Sequence, residues 1–227
     1  MSALVMVTRE AVAPRADAPT PTVILLQGLT YPADQLVPMA AHLGDALPHV
    51  RLLVPAAPVE LEGFAGGRSW WPISVGRMLR QRGRGEHQDL TAARPPGMDG
   101  ARDAVLAVVA ACPGPVALVG FSQGAMLAVD VALAAPERVA AIGLVAGTIV
   151  DEADWRRRAT AAAGLPVLML HAPDDEVLRH DVARRLATLL ADAGARVEFV
   201  DVDGGHAVPP SATPALAAFL ARALPPP

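Results

Sequence analysis

One serine, a pair of aspartates and one histidine occur in this sequence at positions where they can act together. Ser122 follows an apolar run, Asp174 and Asp175 follow another, and His206 follows two glycines. A serine hydroxyl is a poor nucleophile at neutral pH, so it needs an imidazole to accept its proton and a carboxylate to orient that imidazole. The three residue types together predict a serine that attacks a carbonyl group.

The segment around Ser122 predicts a strand, a sharp turn and a helix. The apolar residues 116–119 run into Gly120-Phe121-Ser122-Gln123-Gly124, and a segment without Gly or Pro then continues to Pro136. The two glycines allow a turn so tight that a side chain at either position would collide with its neighbours. Because a helix begins after the turn, the N–H of Gln123 is left free to stabilise an oxyanion. The alternative interpretation is an ordinary tight turn that contains a serine.

The histidine and the acid are less sharply defined by the sequence than the serine. Of the six histidines, only His206 lies in a glycine-flanked loop after a late strand, whereas His171 ends an apolar run that is typical of a buried strand. Spacing alone does not separate Asp175 from its neighbours Asp174 and Glu176, and paired aspartates more often cap a following helix than catalyse. A second oxyanion donor is expected in the loop after an early strand, where we choose the N–H of Leu29.

Strand and helix patterns alternate along most of the chain. Strands are predicted at residues 4–8, 22–26, 51–54, 116–119, 139–145, 167–171 and 196–202. Helices are predicted at residues 34–47, 97–112, 123–135, 181–193 and 213–223. This alternation predicts an α/β fold with a mostly parallel sheet covered by helices on both faces, built as a single domain over residues 1–227 without a large cap domain. Two segments, 60–96 and 147–165, read as irregular, and the first is long enough to have a functional role.

Bulk composition excludes several classes of function. The chain has 227 residues, of which 52% are hydrophobic and 19% charged, and its formal net charge is -4. Scattered basic residues predict no nucleic-acid partner, and no apolar run approaches the ~20 residues of a membrane span, so no stable membrane insertion is expected. The N-terminal residues lack a basic leader, and there is one cysteine, which favours a cytoplasmic location. No cofactor motif and no metal site are predicted.

Six short motifs resemble the phospholipase/carboxylesterase family of α/β-hydrolases, which includes acyl-protein thioesterases. The resemblance extends from Val23 to the C-terminus, and Gly-Phe-Ser-Gln-Gly is its most specific part. The motifs are Leu26-Gln27-Gly28-Leu29, Val54-Pro55-Ala56-Ala57-Pro58, Arg68-Ser69-Trp70-Trp71-Pro72, Gly120-Phe121-Ser122-Gln123-Gly124, His171-x-x-x-Asp175-x-Val177 and Gly205-His206.

The resemblance implies a role for each matching residue. Ser122 resembles the family nucleophile, Asp175 the acid and His206 the base, and Leu29 and Gln123 resemble the oxyanion donors. The family pattern thereby prefers Asp175 over Asp174. The segment 64–72 resembles a loop that borders the substrate groove, which makes Phe64, Trp70 and Trp71 candidate walls of the acyl pocket. A plain core role for one of the tryptophans is an equal alternative.

Three positions depart from the family pattern. Gln27 and Thr30 stand where the family usually has His and Gly, and Ala172 stands where it usually has Gly. The first two flank the predicted oxyanion loop, so they bear on the preferred substrate.

The expected function is that of a serine carboxylesterase or thioesterase that cleaves a small ester or thioester without a cofactor. The sequence is compatible with a homodimer. Two alternatives remain open from the sequence: a catalytically silent receptor or interaction module on the same fold, and a related hydrolase of lactones, amides or peptides.

Overall fold

The computed structural model describes residues 6–9 and 19–226, and for residues 6–9 it describes the backbone only. Nine strands occur in this part of the chain. They are β1 (Met6–Arg9), β2 (Thr22–Leu26), β3 (Arg51–Pro55), β4 (Val59–Glu60), β5 (Arg68–Ser69), β6 (Val116–Phe121), β7 (Val139–Val145), β8 (Pro166–His171) and β9 (Arg196–Asp201). Of the predicted first strand, Leu4 and Val5 lie outside the described residues.

Seven strands form the central sheet in the order β1-β3-β2-β6-β7-β8-β9. The six strands from β3 to β9 in this order are parallel, whereas β1 pairs antiparallel with β3 at one edge. Strands β4 and β5 form a separate two-stranded antiparallel sheet. The mostly parallel central sheet confirms the predicted fold class, and β6, which leads to Ser122, lies in its middle.

Helices cover both faces of this sheet. They are α1 (Val37–Ala46), α2 (Val75–Gly83), α3 (Met98–Ala110), α4 (Gln123–Ala134), α5 (Glu152–Arg158), α6 (His180–Asp192) and α7 (Ala212–Ala223). Apolar residues of α1 and α7 pack on one face, and those of α3, α4, α5 and α6 pack on the other.

The side chains of β6 show why the sheet is buried on both faces. Val116 and Leu118 belong to the cluster under α3 to α6, whereas Ala117 and Val119 belong to the cluster under α1 and α7. Successive side chains of a strand point to opposite faces, so a central parallel strand must be apolar at every position. All six residues of β6 are buried, which explains the continuous apolar run in the sequence.

Two helices lie in segments that the sequence pattern predicted to be irregular, and that prediction was wrong at α2. At α5 the basic run 156–158 indicated a solvated helix face, and Arg156 and Arg157 are indeed exposed. Helix α2 begins after Ser74, whose hydroxyl accepts the N–H of Arg77, and none of its residues is fully buried. Helix α5 has only seven residues and begins after Asp151, whose carboxylate accepts the N–H of Asp154. In α2 the helical spacing is limited to Val75, Met78 and Leu79, and α5 is only seven residues long, so both helices are shorter than the windows in which periodicity predicts a helix.

A buried carboxylate fixes α4 against its neighbours. Asp130 of α4 is fully buried and accepts hydrogen bonds from Arg94, Arg158 and the indole nitrogen of Trp155. Burial alone would raise the pKa of Asp130, but its two arginine partners outweigh that effect and lower the pKa. The helix that starts at the serine turn is therefore held on its outer side by ion pairs.

Within residues 6–9 and 19–226, no helix combines the length and the apolar character that crossing a membrane requires. The cytoplasmic location predicted from the sequence stays a prediction.

Candidate active site

Ser122 lies between β6 and α4 in a strained backbone conformation. Its φ is 52° and its ψ is -114°, values that L-residues rarely adopt. We call residues 120–124 the serine turn. A Cβ on Gly124 would lie 2.1 Å from the carbonyl oxygen of Leu26, and one on Gly120 would lie 2.3 Å from that of Gly124. Both glycines are therefore required by close contacts, as the sequence predicted.

His206 lies within hydrogen-bond distance of both Ser122 and Asp175. Its Nε2 is 2.9 Å from Oγ of Ser122, and its Nδ1 is 2.8 Å from Oδ2 of Asp175. His206 lies in the histidine loop, residues 202–211, which joins β9 to α7, and Asp175 lies in the acidic loop, residues 172–179, which joins β8 to α6. Three loops at the carboxyl ends of parallel strands thus bring His206 next to Ser122, 84 positions away in the sequence, and next to Asp175, 31 positions away.

The surroundings of Asp175 favour its ionised form. Its Oδ1 accepts the N–H groups of Val177 and Leu178, both at 2.8 Å. Burial by itself would raise the pKa of this carboxyl, but the hydrogen bond and charge of His206 and the two backbone donors outweigh it, so the pKa lies below its usual value. A buried carboxylate next to His206 is suited to orient the imidazole and to stabilise its cationic form.

His171, the competing histidine, lies beneath this arrangement. It is fully buried at the end of β8, with Nε2 3.1 Å from the carbonyl oxygen of Leu178 and 3.3 Å from Oδ2 of Asp175. Burial lowers the pKa of His171 by more than the Leu178 carbonyl and Asp175 raise it, which favours a neutral ring. His171 thus packs against the acid and is not hydrogen bonded to Ser122.

A cavity of about 150 Å³ opens beside Ser122 and His206. Both predicted oxyanion donors, Leu29 and Gln123, line it. Gln123 is the first residue of α4, so its N–H has no partner within the helix. Most of the other lining side chains are apolar: Tyr31, Trp71, Ile73, Met78, Leu90, Phe121, Met126 and Val177.

The three residues predicted to form the acyl pocket have different positions. Trp71 lines the cavity, whereas Trp70 is buried in the core and donates its indole N–H to the carbonyl oxygen of Gln27 at 2.9 Å. Phe64 is 36% exposed and does not line the cavity. The structure therefore brings one of these three aromatic residues to the cavity.

The departures from the family pattern at Gln27 and Thr30 shape the loop before Tyr31. Gln27 is buried, and its amide donates to the carbonyl oxygen of Tyr31 at 2.6 Å. Thr30 has a φ of 68° and donates its N–H to the carbonyl oxygen of Arg68. The first contact joins the two ends of the Leu29 segment to each other, and the second ties the segment to β5, so both support the N–H of Leu29 in its position beside the cavity.

Several residues at the site were missed by the sequence analysis. Met78 and Arg82 of α2 line the cavity, and His87 lies with Nε2 3.1 Å from the backbone carbonyl oxygen of Asp175. The side-chain amide of Gln123 also accepts the N–H of Trp70 and donates to Ser69. The cap at Ser74 and the helical spacing of Val75, Met78 and Leu79 were local signals for α2. Nothing local to the other residues predicts their long-range contacts.

Within the described part of the chain, no group of three or more metal-binding side chains is arranged to hold a metal ion.

A mostly parallel sheet with a strained serine at the end of a central strand defines an α/β-hydrolase. The chain belongs to the phospholipase/carboxylesterase family, whose profile matches residues 7–224. No curated protein sequence matches the chain significantly.

Solved structures with the same fold include esterases and a thioesterase. Esterase PE8 superposes with a TM-score of 0.77 at 25% identity, over 98% of this chain and 99% of that one. Acyl-protein thioesterase 2 of Zea mays gives 0.73 at 19% identity, over 99% and 100% of the chains. A carboxylesterase from Mesorhizobium loti gives 0.67 at 20% identity, over 89% and 88%. The family match and the structure of esterase PE8 support a hydrolase of the esterase kind, and the other two structures share its fold.

Proposed function

We propose that this protein is a serine carboxylesterase or thioesterase in which Ser122, His206 and Asp175 form a catalytic triad. The observation that carries the proposal is the continuous pair of hydrogen bonds, 2.9 Å and 2.8 Å, from Ser122 through His206 to Asp175. These hydrogen bonds lie at the strained serine turn, and Ser122 and His206 both line the cavity. Strain of this kind is commonly found at functional sites.

The proposed reaction has two stages. In the first, Oγ of Ser122 attacks the acyl carbonyl, Nε2 of His206 accepts the serine proton, and Asp175 stabilises the resulting imidazolium. The N–H groups of Leu29 and Gln123 stabilise the oxyanion, and His206 then protonates the leaving alcohol or thiol. In the second stage, His206 activates a water molecule that hydrolyses the acyl-enzyme and releases the acid.

The cavity supports a short acyl group or a small aromatic ring as the preferred substrate part. Its volume of about 150 Å³ is similar to that of an engineered apolar cavity, also about 150 Å³, that binds benzene in another protein. Apolar side chains such as Trp71 and Met126 line it, which favours an uncharged group.

The test is hydrolysis of p-nitrophenyl esters from acetate upward by the wild type and Ser122→Ala. We expect a rate that peaks at a short chain length in the wild type and a loss of at least about 10³-fold in Ser122→Ala, because the nucleophile is gone. A thioester and an amide with the best acyl group separate the thioesterase and amidase alternatives. Equal ester hydrolysis by a folded Ser122→Ala variant would show that the proposal is wrong.

Labelling with an organophosphonate distinguishes a selective enzyme from a silent receptor. Wild type that labels at Ser122 yet hydrolyses none of the p-nitrophenyl esters has an active nucleophile and a different substrate. Wild type that neither labels nor hydrolyses any ester favours the receptor or interaction module.

A further inference from the structure

Asp174, Asp175 and Glu176 are consecutive, and each accepts a hydrogen bond from a different nitrogen of the histidine loop. Asp175 accepts from Nδ1 of the His206 ring, as described above. Oδ1 of Asp174 accepts the backbone N–H of Gly205, and Oε2 of Glu176 accepts the backbone N–H of His206, both at 3.2 Å. One carboxylate thus orients the imidazole, and the two on either side of it hold the main chain that carries the imidazole.

The histidine loop is shaped for this close approach. Gly205 has a φ of 62°, and a Cβ at this position would lie 2.9 Å from Oε2 of Glu176. A larger residue would therefore be strained and would also push the Glu176 carboxylate away from the N–H of His206.

Glu176 also joins the histidine loop to the wall of the cavity. Its Oε1 forms an ion pair with Arg82 of α2, and Arg82 lines the cavity next to Ser122. The two side chains are 55% and 44% exposed, and an ion pair so open to solvent contributes little to the stability of the fold. The ion pair instead orients the Glu176 side chain. One carboxylate oxygen pairs with Arg82, and the other accepts the backbone N–H of His206.

We infer that Asp174 and Glu176 are positioning residues for His206, and that Arg82 holds Glu176 in place. The inference rests on the proposed function, in which Nε2 of His206 must stay within reach of the Ser122 hydroxyl. His206 lies on an irregular loop, and its side chain has only two rotatable bonds, so the position of its main chain largely sets the position of Nε2. Two carboxylate contacts to consecutive N–H groups restrict that main chain.

The kinetic test compares variants that remove different parts of this arrangement. Glu176→Ala should lower kcat by about tenfold with little change in KM, because a misplaced base slows chemistry more than binding. Glu176→Gln keeps an oxygen for the His206 N–H and loses the ion pair. It should therefore lower kcat by only about twofold to threefold, and Arg82→Gln should lower kcat by the same factor. The double variant Arg82→Gln/Glu176→Gln should lower kcat by no more than either single variant does.

A matched control removes an ion pair elsewhere on the surface. Glu198 is exposed and pairs with Arg222 at 3.0 Å, so Glu198→Ala should leave kcat unchanged. Equal kcat values for Glu176→Ala and wild type, equal losses in Glu176→Ala and Glu176→Gln, or a loss that appears in KM alone would each overturn the inference.

Amide hydrogen exchange measured by NMR tests the same contacts without turnover. Exchange at the His206 N–H should be faster in Glu176→Ala than in wild type, and exchange at the Gly205 N–H should be faster in Asp174→Ala, while Glu198→Ala changes neither. Unchanged exchange in both acidic variants overturns the inference even if the protein proves to be an esterase. If wild type shows neither Ser122-dependent hydrolysis nor phosphonate labelling at Ser122, the proposed function fails by itself, and exchange alone then decides whether the carboxylates hold this loop.

Discussion

Asp174, Asp175 and Glu176 are adjacent in the sequence, yet the fold gives them different surroundings. Asp175 is 3% exposed and receives hydrogen bonds from a ring and two backbone N–H groups, whereas its two neighbours are exposed. At the scale of single residues, burial and hydrogen bonding thus separate the proposed catalytic acid from two residues of the same charge.

The lowered pKa of Asp175 predicts how this residue contributes to stability at different pH values. A group whose pKa is lower in the folded state stabilises the fold above its unfolded pKa, here near the usual aspartate value of 3.8, and this contribution disappears as pH falls through the folded pKa. Asp175→Asn should therefore be less stable than wild type near pH 6, and the difference should narrow towards pH 3.

Urea unfolding of both proteins across this range checks the prediction, with the exposed Asp103→Asn as the control. In assays near pH 7, Asp175→Asn should also lose about 10³- to 10⁴-fold in kcat if it orients His206 as proposed. A stability difference that stays constant from pH 6 to pH 3 would contradict the charge-based account.

At the scale of elements, the serine turn places β6 and α4 in direct contact with the end of β2. Gly124 lies where a Cβ would meet the backbone carbonyl of Leu26 at 2.1 Å. This contact involves main chain on both sides, so no side-chain rotation can relieve it. The close packing of the turn against β2 also brings the Leu29 segment, which follows β2, near Ser122.

Gly124→Ala should therefore destabilise the protein by about 2 kcal/mol or more, since the added methyl group forces backbone shifts. Gly100 of α3 is the matched control, because a Cβ there meets nothing within 4 Å. Gly100→Ala should stabilise the protein by about 0.5–1 kcal/mol, the usual gain at an open helical position. Urea unfolding of both variants measures the free energies, and a Gly124→Ala variant as stable as wild type would show that the turn is less tightly packed than described.

At the scale of the whole molecule, we propose that the chain folds as one domain. Trp155 lies far from Trp70 and Trp71 in the sequence, but all three are buried in the hydrophobic cluster on one face of the sheet. The loops that carry Ser122, Asp175 and His206 follow β6, β8 and β9 of the same sheet. The integrity of the proposed site thus depends on several strands at once.

If the chain forms a single domain, it should unfold in one cooperative transition. Tryptophan fluorescence, which reports on the packed face, and far-UV circular dichroism, which reports on all helices and strands, should show the same midpoint in urea. Esterase activity measured in parallel should be lost at that midpoint or below it. Two separate transitions by the two optical probes would contradict the proposal.

The sequence by itself determined the features that depend on local pattern and local geometry. Apolar runs predicted β2, β3, β6, β7 and β8 of the main sheet, because a strand buried on both faces must be apolar throughout. The glycines around Ser122 predicted the turn because the required backbone geometry excludes larger residues. His206 was selected because it follows the last strand in a glycine-rich loop, and its hydrogen bonds agree with that choice.

Only the tertiary structure decided the features that depend on contacts between distant segments. Helix α2 has only three apolar residues, Val75, Met78 and Leu79, and its place at the cavity was visible only from the fold. Trp71 reaches the cavity and Phe64 does not, although both lie in the same aromatic segment. The pairing of Glu176 with Arg82 joins residues 94 positions apart. Such contacts are set by how strands and helices pack, and packing is not encoded in the spacing of neighbouring residues.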